Sequence, residues 1–244
     1  MRDWVCGFFM AWGMFLAIPC PRKIWSEGAR QKMLVCMPLV GLLAGGVWAG
    51  AWLLLLRGAP GPVRAAVCAA VPWLVTGFMH LDGYMDVCDA VLSRRDLATR
   101  QRILKDSHCG AFAVICMVLL AMGQWSLFLA AEDVSWLALL LIPAATRACA
   151  GLAVLGLRPM GTSQYAAMGP ARGGYGAALW VLLALSVGLP LWLDGSFGPL
   201  AAAVGYGLAV WYGFRNLDGM SGDISGFALT IGELCGCGAA ILWR

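Results

Sequence analysis

Residues 63–81, VRAAVCAAVPWLVTGFMHL, run without a break into Asp82-Gly83-Tyr84-Met85-Asp86-Val87-Cys88-Asp89. The first part is an apolar segment of about the length that crosses a hydrocarbon core of about 30 Å. The second carries three carboxylates at spacings of four and three, in a chain with only 13 acidic residues among 244. On a helix, positions i, i+4 and i+7 share one face, so Asp82, Asp86 and Asp89 point the same way. Like charges so close repel one another unless a cation neutralises them. Hard oxygen donors on one stripe suit Mg²⁺ or Mn²⁺, and Mg²⁺ usually arrives with a phosphate-bearing substrate. A solvated helix face is the plain alternative for a run of charge. The position directly after an apolar span, at a membrane boundary, favours the metal reading.

Composition places the chain in a membrane. It is 61% hydrophobic and 12% charged, with a mean hydropathy of +0.79, whereas a soluble domain carries about 25% charged residues. Seven candidate spans follow: Met33–Leu56, Val63–Leu81, Gly110–Ala131, Val134–Leu157, Ala177–Leu193, Pro199–Phe214 and Gly226–Trp243. Trp4–Ile18 is marginal for a crossing and has no small-residue cleavage site behind it, so it is read as a retained segment. The expected fold is all-α: a single membrane domain over residues 1–244, a polytopic bundle of about seven transmembrane helices plus a short N-terminal apolar helix. Gly41, Gly45, Gly46 and Gly50 would let helices approach closely. Of the ten cysteines, Cys6, Cys36, Cys68, Cys116 and Cys149 lie in apolar runs and read as small packing residues rather than zinc ligands.

The loops fall into two unlike sets. Pro19–Lys32, Asp82–Cys109, Arg158–Gly176 and Arg215–Ser225 hold the basic residues, and the loops between them are short and nearly free of cations. That alternation puts the basic set in the cytoplasm, with Arg57, Arg64 and Arg244 as exceptions on the other side. Asp82, Asp86, Asp89, Asp96, Asp106, Asp218 and Asp223 fall in or beside the same basic loops. Carboxylates and cations on one membrane face fit a metal-bound, phosphate-rich substrate.

Further candidates surround this cluster. Lys105-Asp106-Ser107 precedes the next helix, where Asp106 or Ser107 can cap first-turn amides and Lys105 can meet phosphate or merely mark a span end. His80 is either a satisfied interface residue or a substrate contact. Arg147 falls mid-span, where a charge needs a partner or water, and is expected to face a polar cavity. Arg158, eleven residues on, is expected on about the same face, lining the same entrance. Gly222 and Asp223 sit in a Gly-rich turn that either cradles phosphate or simply caps the last span, and Glu233 is an intramembrane carboxylate two turns further on.

Taken in order, His80-Leu81-Asp82-Gly83-x-x-Asp86-x-x-Asp89, Lys105-Asp106-Ser107-x-x-Gly110, Gly222-Asp223 and Glu233-Leu234 resemble the cobalamin synthase family of adenosylcobinamide-GDP ribazoletransferases. Phe15-Leu16-Ala17-Ile18-Pro19-Cys20-Pro21 and Pro38-Leu39-Val40-Gly41-Leu42-Leu43-x-Gly45 look like that family's N-terminal segments. The resemblance implies a Mg²⁺-dependent enzyme of the cell inner membrane, multi-pass, with its active site facing the cytoplasm. It joins adenosylcobinamide-GDP to α-ribazole or α-ribazole 5′-phosphate and releases GMP. By the same resemblance Asp82, Asp86 and Asp89 are metal ligands and, with Asp106, catalytic. Lys105, Ser107, Arg147, Gly222, Asp223 and His80 are substrate contacts by that resemblance, and Arg158 joins them on helical phase alone. The chain departs from the pattern at Ala17, Ala90, His108 and Thr230. Membrane lipid is the expected surrounding partner, nucleic acid is not, and a homo-oligomer stays open. Two rivals differ in pattern. A CDP-alcohol phosphatidyltransferase has Ala-Arg where this chain has Met85-Asp86, and a cation transporter would set its charges near the midplane, often in repeats.

Overall fold

The computed structural model describes residues 2–56, 58–161, 163–168 and 173–243, so Arg57, Arg172 and Arg244 lie outside the described residues. Ten α-helices follow in order: α1 Arg2–Phe15, α2 Arg30–Leu55, α3 Gly61–Val75, α4 Met79–Leu92, α5 Leu97–Ile103, α6 Ala111–Ala130, α7 Trp136–Gly156, α8 Tyr175–Asp194, α9 Gly198–Leu217 and α10 Gly222–Leu242. The only extended pairing among the described residues is a single bridge between Pro159 and Met220.

Five helical segments are long and apolar enough to cross a membrane: Glu27–Leu55, which contains α2, and α6, α7, α8 and α10. The bent pair α3 and α4 makes six. The seventh expected span forms as the 20-residue α9, whose apolar character is diluted by Tyr206, Tyr212, Arg215 and Asn216. α1 is a short helix packed on α2, as the N-terminal segment was read. α2, α7 and α10 form the interior, with 67%, 67% and 72% of their apolar windows buried, whereas α6 and α8, at 22% and 17%, turn their sides outward.

The main departure from expectation lies in residues 63–81, which do not form one straight span. α3 stops at Val75, and α4 leaves at 91° after Thr76-Gly77-Phe78. Gly77 (φ 61°) and Phe78 (φ 64°) are left-handed. The Phe78 N–H donates to the Trp73 carbonyl at 2.9 Å and the Gly77 N–H to the Leu74 carbonyl at 3.1 Å. This pair of bonds is a glycine helix stop, which satisfies the last carbonyls without lipid-exposed backbone. Pro72 has no N–H to give the Cys68 carbonyl, and the buried Trp48 indole donates to that oxygen at 2.7 Å instead.

Of the four glycines in α2, two are used for close approach. A Cβ on Gly41 would stand 2.5 Å from the Pro143 carbonyl oxygen, and one on Gly45 would stand 2.0 Å from that of Leu140. Gly50 meets nothing within 4 Å. The α2–α7 contact is therefore backbone against backbone at Gly41 and Gly45. Gly45→Leu is expected to cost about 1–3 kcal/mol or more through overpacking, read as a lower unfolding midpoint in detergent, whereas Gly50→Ala should leave that midpoint unchanged.

Candidate functional site

The site is built where α4 crosses α10. A Cβ on Gly83 would lie 2.8 Å from the Asp223 carbonyl oxygen, and one on Gly226 would lie 3.0 Å from that of His80. Thr230 Oγ1 donates to the His80 carbonyl at 3.3 Å from one turn further along α10. With only hydrogen at Gly83 and Gly226, the first turn of α10 comes against the acidic face of α4. Asp86 then lies within the field of Asp82, Asp223 and Asp89. Ser221 is the cap of α10, accepting from the Ile224 N–H at 3.3 Å. Asp223 is thus not the cap but a first-turn carboxylate.

The three aspartates of the stripe have different neighbours. Asp89 accepts the Gly110 N–H at 2.6 Å through one oxygen and the Ala113 N–H at 2.9 Å through the other. It caps α6 from a different helix, and a Cβ on Gly110 would press to 2.6 Å from its carboxylate. Neither Asp106 nor Ser107 does that capping. Asp106 accepts from the His108 N–H at 3.0 Å and pairs with its Nδ1 at 2.6 Å in an exposed loop. That bonding to His108 holds the Asp106 carboxyl below the usual carboxylate range. Ser107 is exposed beside it.

A cavity of about 450 Å³ opens at the crossing. His80, Asp82, Lys105, Gly222 and Asp223 line it, as does the cap Ser221. Asp86, Asp89, Asp106, Ser107, Arg147 and Arg158 do not. The segments brought together are those that loop charge had assigned to one membrane face. Arg30, Ser163, Gln164 and Tyr165 also line the cavity and carry no motif that singles them out in the sequence. Arg30 opens α2, and Ser163–Tyr165 arrive by a clip: the Met160 N–H donates to the Met220 carbonyl and the Met220 N–H to the Arg158 carbonyl, both at 2.9 Å. Burial and the neighbouring Asp223 push the Tyr165 phenol up to about 12, so it stays a neutral hydrogen-bond donor near Gly222.

The two mid-chain arginines are not where helical phase put them. Arg147 is 1% exposed and binds Glu233 of α10 at 2.7 Å and the Pro143 carbonyl at 3.1 Å. A buried partner on the facing helix, rather than a wetted cavity, satisfies its charge. Its Nε and Nη2, and His80 Nε2, have no hydrogen-bond partner and are buried. α7 ends at Gly156, so the phase that links Arg147 to Arg158 is cut short. Arg158 instead pairs with Asp218 at the surface.

The donor set of Asp82, Asp86 and Asp223 is hard oxygen, which suits Mg²⁺. Among the described residues none of the three has a Lys or Arg ion-pair partner, and no three His, Cys, Asp or Glu side chains already stand as a chelate. The positions that depart from the family pattern are structurally occupied. The Ala17 N–H donates to the Val75 carbonyl at 2.8 Å beside the α3–α4 bend. Ala90 is fully buried, His108 pairs with Asp106, and Thr230 ties α10 to α4.

Residues 7–241 match the family model described as cobalamin-5-phosphate synthase. The chain is 33% identical over its full length, and that of the relative, to a protein of Clostridium botulinum named adenosylcobinamide-GDP ribazoletransferase. It is 34% identical to one of the same name from Ralstonia nicotianae, over all of this chain and 97% of the relative. A third, from Halalkalibacterium halodurans, is 38% identical over 60% of this chain and 58% of its own. No solved structure matches.

Two stability predictions follow from the buried contacts. Glu233→Gln leaves Arg147 charged and unpaired, which is expected to cost about 3–5 kcal/mol, whereas Arg147→Met combined with Glu233→Leu should be near neutral. Denaturation of the detergent-solubilised variants measures both. Asp89→Ala should cost about 0.5–2 kcal/mol, the worth of a helix cap, and raise hydrogen exchange at the Gly110 and Ala113 amides.

Proposed function

The chain belongs to the cobalamin-5-phosphate synthase family, and we propose from that premise that it is an adenosylcobinamide-GDP ribazoletransferase. It joins adenosylcobinamide-GDP to α-ribazole, or to α-ribazole 5′-phosphate, and releases GMP. Membership of this family replaces the phosphatidyltransferase and transporter readings. The observation that carries the site assignment is the meeting of Asp82, Lys105, Gly222 and Asp223 at one cavity from three separate stretches of chain.

The reaction is a substitution at phosphorus. A hydroxyl of the acceptor nucleoside forms a new O–P bond at the phosphorus borne by the cobinamide. The pyrophosphate P–O bond breaks, GMP departs with the bridging oxygen, and the hydroxyl proton passes to a carboxylate. Such transfer depends on positioning and charge neutralisation more than on covalent catalysis. Lys105 and the free amides at the start of α10 present positive charge to phosphate oxygens. Asp82, Asp86 and Asp223 are the residues suited to hold Mg²⁺, which when bound supplies neutralisation of the pyrophosphate.

The carboxylates divide by how free they are. Asp89 is engaged by two amides and Asp106 by His108, so the proton acceptor is one of Asp82 and Asp223, which line the cavity, with the other and Asp86 left to the metal. Asp89 then serves to hold α6 and the loop that carries Lys105. Arg147, paired inside, and Arg158, paired at the clip, support the cavity walls, and Ser107 lies at the rim of the Lys105 loop. The basic loops favour a cell inner-membrane enzyme whose cavity faces the cytoplasm, with lipid against α6 and α8. A homo-oligomer is compatible with this arrangement.

Asp82→Asn and Asp86→Asn should each lower turnover by about 100-fold or more while the protein still inserts. The assay uses membranes, Mg²⁺, adenosylcobinamide-GDP and α-ribazole 5′-phosphate, scored for corrinoid product. Near-normal turnover of both variants at limiting Mg²⁺ would remove the ligand assignment. Cysteine labelling should place Asp82–Cys109 and Arg215–Ser225 in the cytoplasm and Ala131–Asp133 outside, and the reverse labelling would overturn the orientation.

A further inference from the structure

The cavity lining joins two chemically unlike sets of residues. Asp82, Lys105, Ser221, Asp223 and Arg30 are polar or charged. Met14 and Phe15 of α1, Met33 and Met37 of α2, Met79 of α4, and Met160 are apolar. Five of the chain's 12 methionines therefore line this one cavity. Met33, Met37 and Met160 are only 3%, 4% and 2% exposed and belong to the protein interior, whereas Met79 is 43% exposed. The Phe15 and His80 rings, which also line the cavity, stack with centroids 6.3 Å apart and planes at 29°.

The proposed reaction brings three large groups to the site: a corrin with amide side chains, a guanosine, and the base of the acceptor. About 450 Å³ is room for a ligand the size of a nucleoside, and a corrin with its side chains exceeds it. Guanine carries donors and acceptors along its edge, and thioethers leave these unpaired at a cost in free energy. A methylated benzimidazole is flat, aromatic and largely apolar. It matches sulfur–aromatic contact and a stacking neighbour such as Phe15. We infer that the methionine wall is the subsite for the aromatic base of the acceptor nucleoside, and that its plasticity lets the enzyme take bases of differing shape. Methionine's three rotatable bonds allow the wall to repack around each base, where a branched aliphatic wall would fit only one. The ribose then points toward Asp82 and Asp223, and the corrin stays at the mouth. This inference rests on the transferase reading of the same site.

The test uses the full chain, purified in detergent, with adenosylcobinamide-GDP and three acceptors: the α-ribosides of 5,6-dimethylbenzimidazole, benzimidazole and adenine. The parent should turn over all three. Met33→Leu with Met37→Leu keeps volume but stiffens the wall, and Met79→Leu does so at a 43% exposed position where folding is not at stake. Either variant should change the ratio of kcat/KM between acceptors by about fivefold or more. The KM for adenosylcobinamide-GDP should stay put. Acceptor ratios unmoved in both folded variants, or a change confined to the corrinoid KM, overturn the subsite while leaving the transferase intact. A parent that makes no corrinoid product from any acceptor sinks the transferase reading first, and the subsite with it.

Discussion

The near-contact of α4 and α10 backbones at Gly83 and Gly226 is the constraint on which the rest of the site depends. Two helices normally stand 8–10 Å apart because side chains separate them. With hydrogen at both positions, the separation shrinks until Asp223 reaches the acidic face of α4. That proximity sets Asp86 in the field of Asp82, Asp223 and Asp89 in a half-buried place, an arrangement relieved by a bound cation or by a proton on one carboxyl. A side chain at either glycine would part the helices, open the cavity floor and disperse the charge. The bond from Thr230 to the His80 carbonyl holds the same crossing from the next turn.

Several contacts around that crossing follow a second rule, from which His80 Nε2 and two Arg147 nitrogens depart: in an apolar surround each polar group needs a partner inside the protein. The Trp48 indole answers the carbonyl left over by Pro72. Asp89 answers the amides at the start of α6. Glu233 answers Arg147, and the pair joins α7 to α10 behind the cavity. These contacts tie the cavity to the interior helices and keep its position rigid. The clip between residues 158–160 and Met220 brings Ser163–Tyr165 over the start of α10.

Much of the site is readable from local pattern. Asp82, Lys105, Gly222 and Asp223 are marked by spacing and by place at span ends, and they do meet. Asp89 shares the helical face of Asp82 but not its surroundings, since two turns along α4 the facing element is the start of α6. Helical phase linked Arg147 with Arg158, yet α7 ends between them. The glycine stop at Gly77 has a local signature, masked by apolar residues on both sides that read as one span. Arg30 and Ser163–Tyr165 carried only the coarse signal of lying in basic loops, because a loop residue's precise role depends on what its loop is clipped to.

The amino-acid sequence alone determined that this is an all-helical membrane protein with most of its ionisable groups gathered in four loops. Those properties depend on composition and on residues within a few turns of each other. It also determined the family, through an ordered set of short motifs. Tertiary structure decided which aspartates share a cavity, which one caps a neighbouring helix, and that Arg147 is neutralised by Glu233. It decided too that methionines from α1, α2 and α4 make one wall. Each of these turns on groups far apart in the chain, whose meeting is set by how closely backbones pack, and no local spacing encodes that distance.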